Sequence, residues 1–167
     1  MSRRILTGIT TTGIPHIGNY FGAIKPALQL SSEKNVSSYF FLADLHAIIK
    51  QTNPNEIKVS VNEVALAWLS SGLDPEKSFF YRQSNIPEIT ELAWILSCVT
   101  AKGLINRSHA YKAAVQLNHD HTKDEDKGIS MGLFSYPVLM AADILMFNSS
   151  HVPVGKDQLQ HLSLIHI

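Results

Sequence analysis

Arg3-Arg4-Ile5-Leu6-Thr7-Gly8-Ile9-Thr10-Thr11-Thr12-Gly13-Ile14-Pro15 is the stretch that decides the fold. Arg3 to Gly8 is short and apolar and reads as a buried strand. Gly8 to Pro15 is a loop of small and hydroxyl-bearing residues. Beyond it Ile17, Tyr20, Phe21, Ile24 and Leu28 recur at helical spacing. Pro26 lies inside that stretch and is expected to kink the helix or end it. Strand, glycine-bearing loop and helix together make the first unit of an α/β chain.

The same unit then repeats. Val36 to Ala43 contains the run Tyr39-Phe40-Phe41-Leu42-Ala43, apolar on both faces, which suits a parallel strand covered on both sides. Asn53 is placed to cap a helix, with Pro54 at its first position and Glu56 at its third. Ile57, Val61, Val64 and Trp68 mark one face of that helix, and Gly72 closes it. Ser78 to Arg82 is a third strand. Pro87 and Glu88 open a helix carrying Ile89, Leu92, Leu96 and Val99, which ends near Gly103. Residues 118 to 128 are polar and charged and read as an exposed, mobile loop. Ser130 to Phe147 is a further helix with Pro137 inside it, Val152-Pro153-Val154 is a short strand, and another helix is expected from about Lys156. The fold class is therefore α/β, a Rossmann-like parallel sheet with helices on both faces. Ligands of such folds bind at the carboxyl ends of the strands, so the loops Gly8–His16, Asp44–His46 and Gly155–Asp157 are expected to share one edge.

Composition narrows the function. The chain has 167 residues, within the range of one domain, and 45% apolar residues, enough for one core. Charged residues are only 17%, so much of the surface is expected to be covered, by the chain's own layers or by a partner. Fourteen basic side chains balance fourteen acidic ones, which excludes a basic protein that coats nucleic acid and an acidic disordered tail. A lone cysteine, Cys98, excludes an internal disulfide and a thiolate cluster. The longest apolar run is six residues, Val64 to Leu69, where a membrane span needs about 20. The start reads straight into a strand without a signal peptide, so the expected location is the cytoplasm.

Four features could carry chemistry. The loop after the first strand leads into a helix start, whose N–H groups and partial positive charge suit phosphate. Gly13 and Gly18 would let a ligand approach the backbone. The spacing matches neither a P-loop nor a dinucleotide fingerprint, so a plain glycine-rich turn is the alternative. His16, in His16-Ile17-Gly18-Asn19, is either a cap or a functional group at the strand's carboxyl end. Asp143 is set in Pro137-Val138-Leu139-Met140-Ala141-Ala142-Asp143-Ile144-Leu145-Met146-Phe147. A carboxylate there is costly unless something donates to it. An apolar pocket with one acceptor fits an aromatic ligand with a single N–H or O–H. The alternative is an aspartate facing solvent or paired with a lysine. Gly155-Lys156-Asp157-Gln158 follows a short strand and opens a helix, as either a second ligand contact or a plain turn. The eight histidines are many but scattered. His46, His109, His119, His121, His151 and His161 lack zinc-ligand spacing, and no Ser/His/Asp nucleophile elbow is present.

Taken together, these stretches resemble a known family. Gly8-Ile9-Thr10-Thr11-Thr12-Gly13 with His16-Ile17-Gly18-Asn19 is similar to the nucleotide-binding signature of class I aminoacyl-tRNA synthetases. Three further stretches resemble the tryptophanyl-tRNA synthetases: Ala43-Asp44-Leu45-His46-Ala47, Tyr136 to Leu145, and Val152-Pro153-Val154-Gly155-Lys156-Asp157-Gln158 with Gln160 and His161. The resemblance covers residues 3 to about 162 and is closest to that family's N-terminal half. It implies that ATP, with Mg2+, and L-tryptophan form tryptophanyl-adenylate, from which the tryptophanyl group passes to tRNA(Trp). It also implies roles for particular residues. Thr10, Thr11, Thr12, Gly18 and Asn19 would line the ATP site, His16 and Asn19 would act in catalysis, and Gly155, Lys156 and Asp157 would hold the ribose side. Asp143 would accept the indole N–H, with Tyr136, Met140, His46 and Gln158 around the amino acid. No residue stands out as a protein ligand for the metal.

The chain departs from that family at Thr10-Thr11-Thr12, where many relatives have Gln-Pro-Ser, and at Lys156, where they have Glu. One catalytic domain is expected over 1–162, with 163–167 as an atypical tail in place of the family's charged helix and later KMSKS loop. A chain so composed is expected not to aminoacylate alone. Trp94, Ile95 and Cys98 widen the apolar stripe of the helix after Pro87, which in the family lies between subunits, so a homodimer is expected. The alternatives are a tyrosyl-tRNA synthetase-like enzyme, a module that binds nucleotide or amino acid without turnover, and a pairing module.

Overall fold

The structure is a computed structural model that describes residues 3–121 and 124–153. Within it the chain divides into two compact units, residues 3–87 with 144–153 and residues 88–143.

The first unit is built on a parallel sheet of β1 (Arg3–Thr10), β2 (Val36–Ala43) and β3 (Phe79–Arg82), in that order. The register runs from Arg3 opposite Val36 to Thr10 opposite Ala43, so β1 and β2 end together. β3 enters opposite Tyr39 and leaves with Arg82 opposite Leu42. All three strands thus point their carboxyl ends to one edge, as the α/β pattern predicts. On the other side of β1, Leu6 N–H donates to the His151 carbonyl at 3.0 Å and His151 N–H to that of Arg4, also at 3.0 Å. The direction of winding therefore reverses at β1, and its carboxyl end is where an open α/β sheet offers a ligand crevice. The expected strand at Val152-Pro153-Val154 is not formed among the described residues. Pairing there is the single bridge at His151, and Pro153 has no N–H to extend it. Val154 and the helix expected from Lys156 lie outside the described residues.

Both faces of β2 are apolar, as a doubly covered strand requires. One face joins Ile9, Phe40 and Leu42 to Ile24 and Ala27, and to Val61, Val64 and Trp68 of α4 (Pro54–Ser70). Trp68 is fully buried with its ring 4.8 Å from that of Phe40. The other face is an aromatic ladder. Tyr39 stacks on Phe79 at 4.7 Å, Phe41 on Tyr81 at 5.7 Å, and Phe147 leans on Tyr39 and Tyr81.

Local signals set the helix ends. Asn53 accepts the Asn55 N–H at 3.0 Å and Pro54 fills the first turn. Gly72 takes φ +100°, which an L side chain resists. The helix after the first loop neither stops nor breaks at Pro26. It runs as α1 (Ile17–Asn19), a π-helical stretch (Tyr20–Ile24) and α2 (Lys25–Ser31). Lys25 N–H reaches back to the Tyr20 carbonyl, a widened turn just before the residue that lacks a donor. The short turn α3 (Asp44–Ala47) follows β2 directly.

The second unit holds α5 (Glu88–Val99), α6 (Lys102–Ile105), α7 (His109–Asp120) and most of α8 (Met131–Met146). α5 starts where expected but ends at Val99 rather than near Gly103, with Ile89 buried and Val99 exposed, and α8 falls within the expected Ser130 to Phe147. α7 was not anticipated. It buries no residue, and Tyr111, Ala114, Val115 and Asn118 form its half-buried face. The segment expected as a loose loop from 118 is instead helical to Asp120 and tied back to α7. Asn118 Nδ2 donates to the carbonyls of Glu125 and Lys127 at 2.9 Å each, and Tyr111 OH to Asp126 Oδ1 at 3.2 Å.

Candidate active site

The loop leaving β1 is open. Thr11 is fully buried, while Thr10 and Thr12 are exposed, so two of the three expected hydroxyls are accessible. Gly13 adopts φ +96° and its N–H donates to Ser60 Oγ of α4 at 3.0 Å. A Cβ on Gly13 would meet nothing within 4 Å. Beside it a cavity of about 360 Å³ is lined by Gly13, Gln51, Asn55, Glu56, Val59 and Ser60.

His16 begins the helix as a cap. Its Nδ1 accepts the Gly18 N–H at 3.1 Å, and its own N–H donates to Asn19 Oδ1 at 2.9 Å, a reciprocal capping box. The N–H of Gly18, one of those expected to face a phosphate, is thus held within the cap. A Cβ on Gly18 would stand 2.8 Å from the imidazole, so this glycine leaves room for the capping His16 ring. The other imidazole edge remains for chemistry, and His16 is exposed.

The turn leaving β2 is the opposite, closed and polar inside. Asp44 is 2% exposed. Its Oδ2 accepts from Arg82 Nε at the end of β3, and its Oδ1 accepts the Ser84 N–H at 3.0 Å. Leu45 N–H donates to Oε1 of the fully buried Gln83 at 3.2 Å. Burial pushes the Asp44 carboxyl up, but hydrogen bonds from Ser84 and Arg82 and the guanidinium charge outweigh it, leaving the group below its ordinary value. His46, two residues on, is half-buried. Thr10 and Ala43 are paired, so the His16 loop and the His46 turn leave the same sheet edge.

In the second unit α8 carries Tyr136, Met140 and Asp143 at intervals of four and three, one helix face. Asp143 is 1% exposed, which excludes the solvent-facing alternative. Gly155, Lys156, Asp157 and Gln158 lie outside the described residues. Among the described residues no three His, Cys, Asp or Glu side chains stand close enough to hold a metal ion, and no helix is long and apolar enough to cross a membrane.

Sequence reading passed over Arg82, Gln83 and Ser84, and gave Asp44 no role. It also passed over why Gly8 is a glycine. A Cβ there would fall 2.3 Å from the Phe41 ring, which lies over the strand. A glycine inside a strand is a readable sign of such an approach. The Asp44 contacts link residues 38 and 40 positions apart, beyond any local pattern.

Comparison with known proteins places this geometry. The family model of class I tRNA synthetases (W and Y) matches residues 2–165. A tryptophan–tRNA ligase of Pseudomonas putida is 62% identical over 164 residues, which are 98% of this chain and 36% of that protein. The structure of tryptophanyl-tRNA synthetase from Campylobacter jejuni complexed with ADP and tryptophan superposes with a TM-score of 0.84 at 45% identity, over 97% of this chain and 48% of that one. A tyrosyl-tRNA synthetase from Archaeoglobus fulgidus, 18% identical with a TM-score of 0.75 over 98% of this chain and 49% of that one, shares the fold alone. The chain thus spans about a third of the length of the ligase it matches. A parallel sheet that reverses its winding at β1, ending in the Thr10–Asn19 loop and matched by that model nearly end to end, means that the chain belongs to the class I tRNA synthetases of the tryptophan and tyrosine type.

Proposed function

We propose that the chain is the amino-acid-activating part of a tryptophan–tRNA ligase. The whole protein joins L-tryptophan and ATP into tryptophanyl-adenylate and pyrophosphate, then passes the tryptophanyl group to tRNA(Trp). The observation that carries the choice of amino acid is the 62% identity to a tryptophan–tRNA ligase over 98% of this chain.

In this reading a tryptophan carboxylate oxygen attacks the α-phosphorus in line and pyrophosphate leaves. No covalent enzyme intermediate is needed, so the protein's task is to position the reactants and stabilise charge. Thr10 and Thr12, with the open backbone at Gly13, border the nucleotide from the β1 edge, with the buried Thr11 between them. Gly18 and Asn19 support the cap that presents His16 to the phosphates. Gly155, Lys156 and Asp157 take the ribose side by family resemblance. Mg2+ would arrive with ATP and would offset part of its phosphate charge. Asp143 takes the indole N–H, with Tyr136, Met140, His46 and Gln158 around the amino acid. The exposed Trp94, Ile95 and Val99 on α5 support a homodimer, checked by sedimentation of the whole protein. The cytoplasm is the compartment this activity requires.

Isothermal titration of the whole protein with tryptophan, tyrosine and phenylalanine tests the assignment. Tryptophan is expected to bind tightest, because an acceptor placed for the indole N–H gains no hydrogen bond from phenylalanine. Asp143→Ala should weaken tryptophan binding about ten- to a hundredfold while ATP binding persists. Asp143→Asn should fall between the two. Tighter binding of tyrosine, or an unchanged tryptophan affinity in Asp143→Ala, overturns the assignment.

A further inference from the structure

We propose that Asp44 is a positioning residue for amino-acid activation: tied to Arg82 and Ser84, it fixes the turn that carries His46 at the carboxyl edge of the sheet. The inference deepens the tryptophan–tRNA ligase reading and rests on it for His46's place beside the amino acid.

The argument begins with connectivity. α3 is four residues long, too short to hold itself, and it follows β2 without a linker. Its direction must therefore be set from outside. The polar contacts to its first two residues come from one place, the end of β3 and the turn after it. Arg82 Nε and the Ser84 N–H hold the two oxygens of Asp44, and Gln83 Oε1 holds the Leu45 N–H. Together they bracket the first two residues of the turn, and His46 is the third.

The chemistry of the bracket also speaks for positioning. A buried carboxylate–guanidinium pair is weak evidence of stabilisation, because desolvation offsets much of the attraction, and apolar packing of like volume can serve as well. What such a pair does supply is direction. A carboxylate held at both oxygens has one orientation, and an arginine donor is more directional than a point charge. Gln83 has the same character, a fully buried amide aimed at one backbone N–H. These polar groups add direction to a turn that also packs through the buried Ala47, at the sheet edge that faces the ligand crevice.

The test uses the whole protein with Asp44→Asn, Arg82→Met, their double variant, and Arg82→Lys as the conservative form. Tryptophan-dependent ATP–pyrophosphate exchange is read alongside the His46 imidazole 13C–1H NMR signal. Each single variant is expected to raise KM for tryptophan at least about tenfold with little change in KM for ATP. The double variant should be no worse than the worse single one, the mark of two groups acting as a unit. Arg82→Lys, which keeps the charge, should recover part of the loss and serves if Asp44→Asn folds poorly. The His46 signal should shift or broaden in Asp44→Asn while the Trp68 indole signal stays in place. Equal losses in both KM values, additive losses, or a wild-type His46 signal in Asp44→Asn overturn the inference. A wild-type protein without tryptophan-dependent exchange defeats the ligase reading instead, and the His46 signal then decides the positioning role alone.

Discussion

Two turns leave the same edge of the sheet and are built in opposite ways. The turn after β1 is backbone-rich and open. Gly13 has a positive φ with empty space where a side chain would be, and His16 caps the helix from an exposed position. The turn after β2 is side-chain-rich and closed, with Asp44 and Gln83 buried and bonded across to the end of β3. A loop that must let a large polyanion approach gains from bare backbone and few fixed partners. A turn that must hold one side chain in place gains from buried directional bonds. The contrast predicts that substitutions in the closed turn disturb folding and positioning together, whereas those in the open turn disturb chemistry with little loss of stability.

The largest stability effect is expected at Asp44. Asp44→Ala removes a carboxylate with two charge-assisted contacts and should lower unfolding free energy by about 2–3 kcal/mol in urea titration. The effect should depend on pH in a defined sense. The folded-state value of the group is below its ordinary value, so its contribution is present above about pH 4 and is lost as pH falls through the folded value. The stability gap between wild type and Asp44→Asn should therefore narrow as pH drops below about 4. A gap that is constant from pH 7 to pH 3 would break the comparison at its closed end.

Next comes Gly8→Ala, which must move the Phe41 ring out of its stack on Tyr81. A cost of about 1–3 kcal/mol is expected. Gly13→Ala meets open space but a backbone angle that L residues resist, so about 1 kcal/mol is expected from strain alone. The smallest change in stability should come from His16→Ala, a cap on a very short helix, at roughly 0.5–1 kcal/mol. Its exchange rate should nonetheless fall by roughly 10²-fold or more if His16 meets the phosphates in the transition state. A stable and fully active His16→Ala protein would mean that the open turn is only a turn.

These turns also show where sequence reading reaches and where it stops. β1 to β3, the Asn53–Pro54 start, the Gly72 stop and the run of α8 were legible because each signal lies within one element. The burial of Asp143 was legible for the same reason, since its neighbours along the helix are apolar. The passage through Pro26 was half legible. The missing donor is in the sequence, but the π-turn that absorbs it is a choice among backbone responses. The bracket on Asp44 was not legible, because Arg82 and Ser84 come near it only when β3 joins the sheet beside β2. Gly18 was legible as a special position, but the room it leaves for the His16 ring of its own cap was not.

The most direct test of the account is ATP–pyrophosphate exchange by the whole protein, with tryptophan and tyrosine compared at equal concentration. The account predicts that label enters ATP with tryptophan and that tyrosine supports exchange at least roughly 10²-fold less well. Exchange driven equally by the two amino acids, or better by tyrosine, would contradict it.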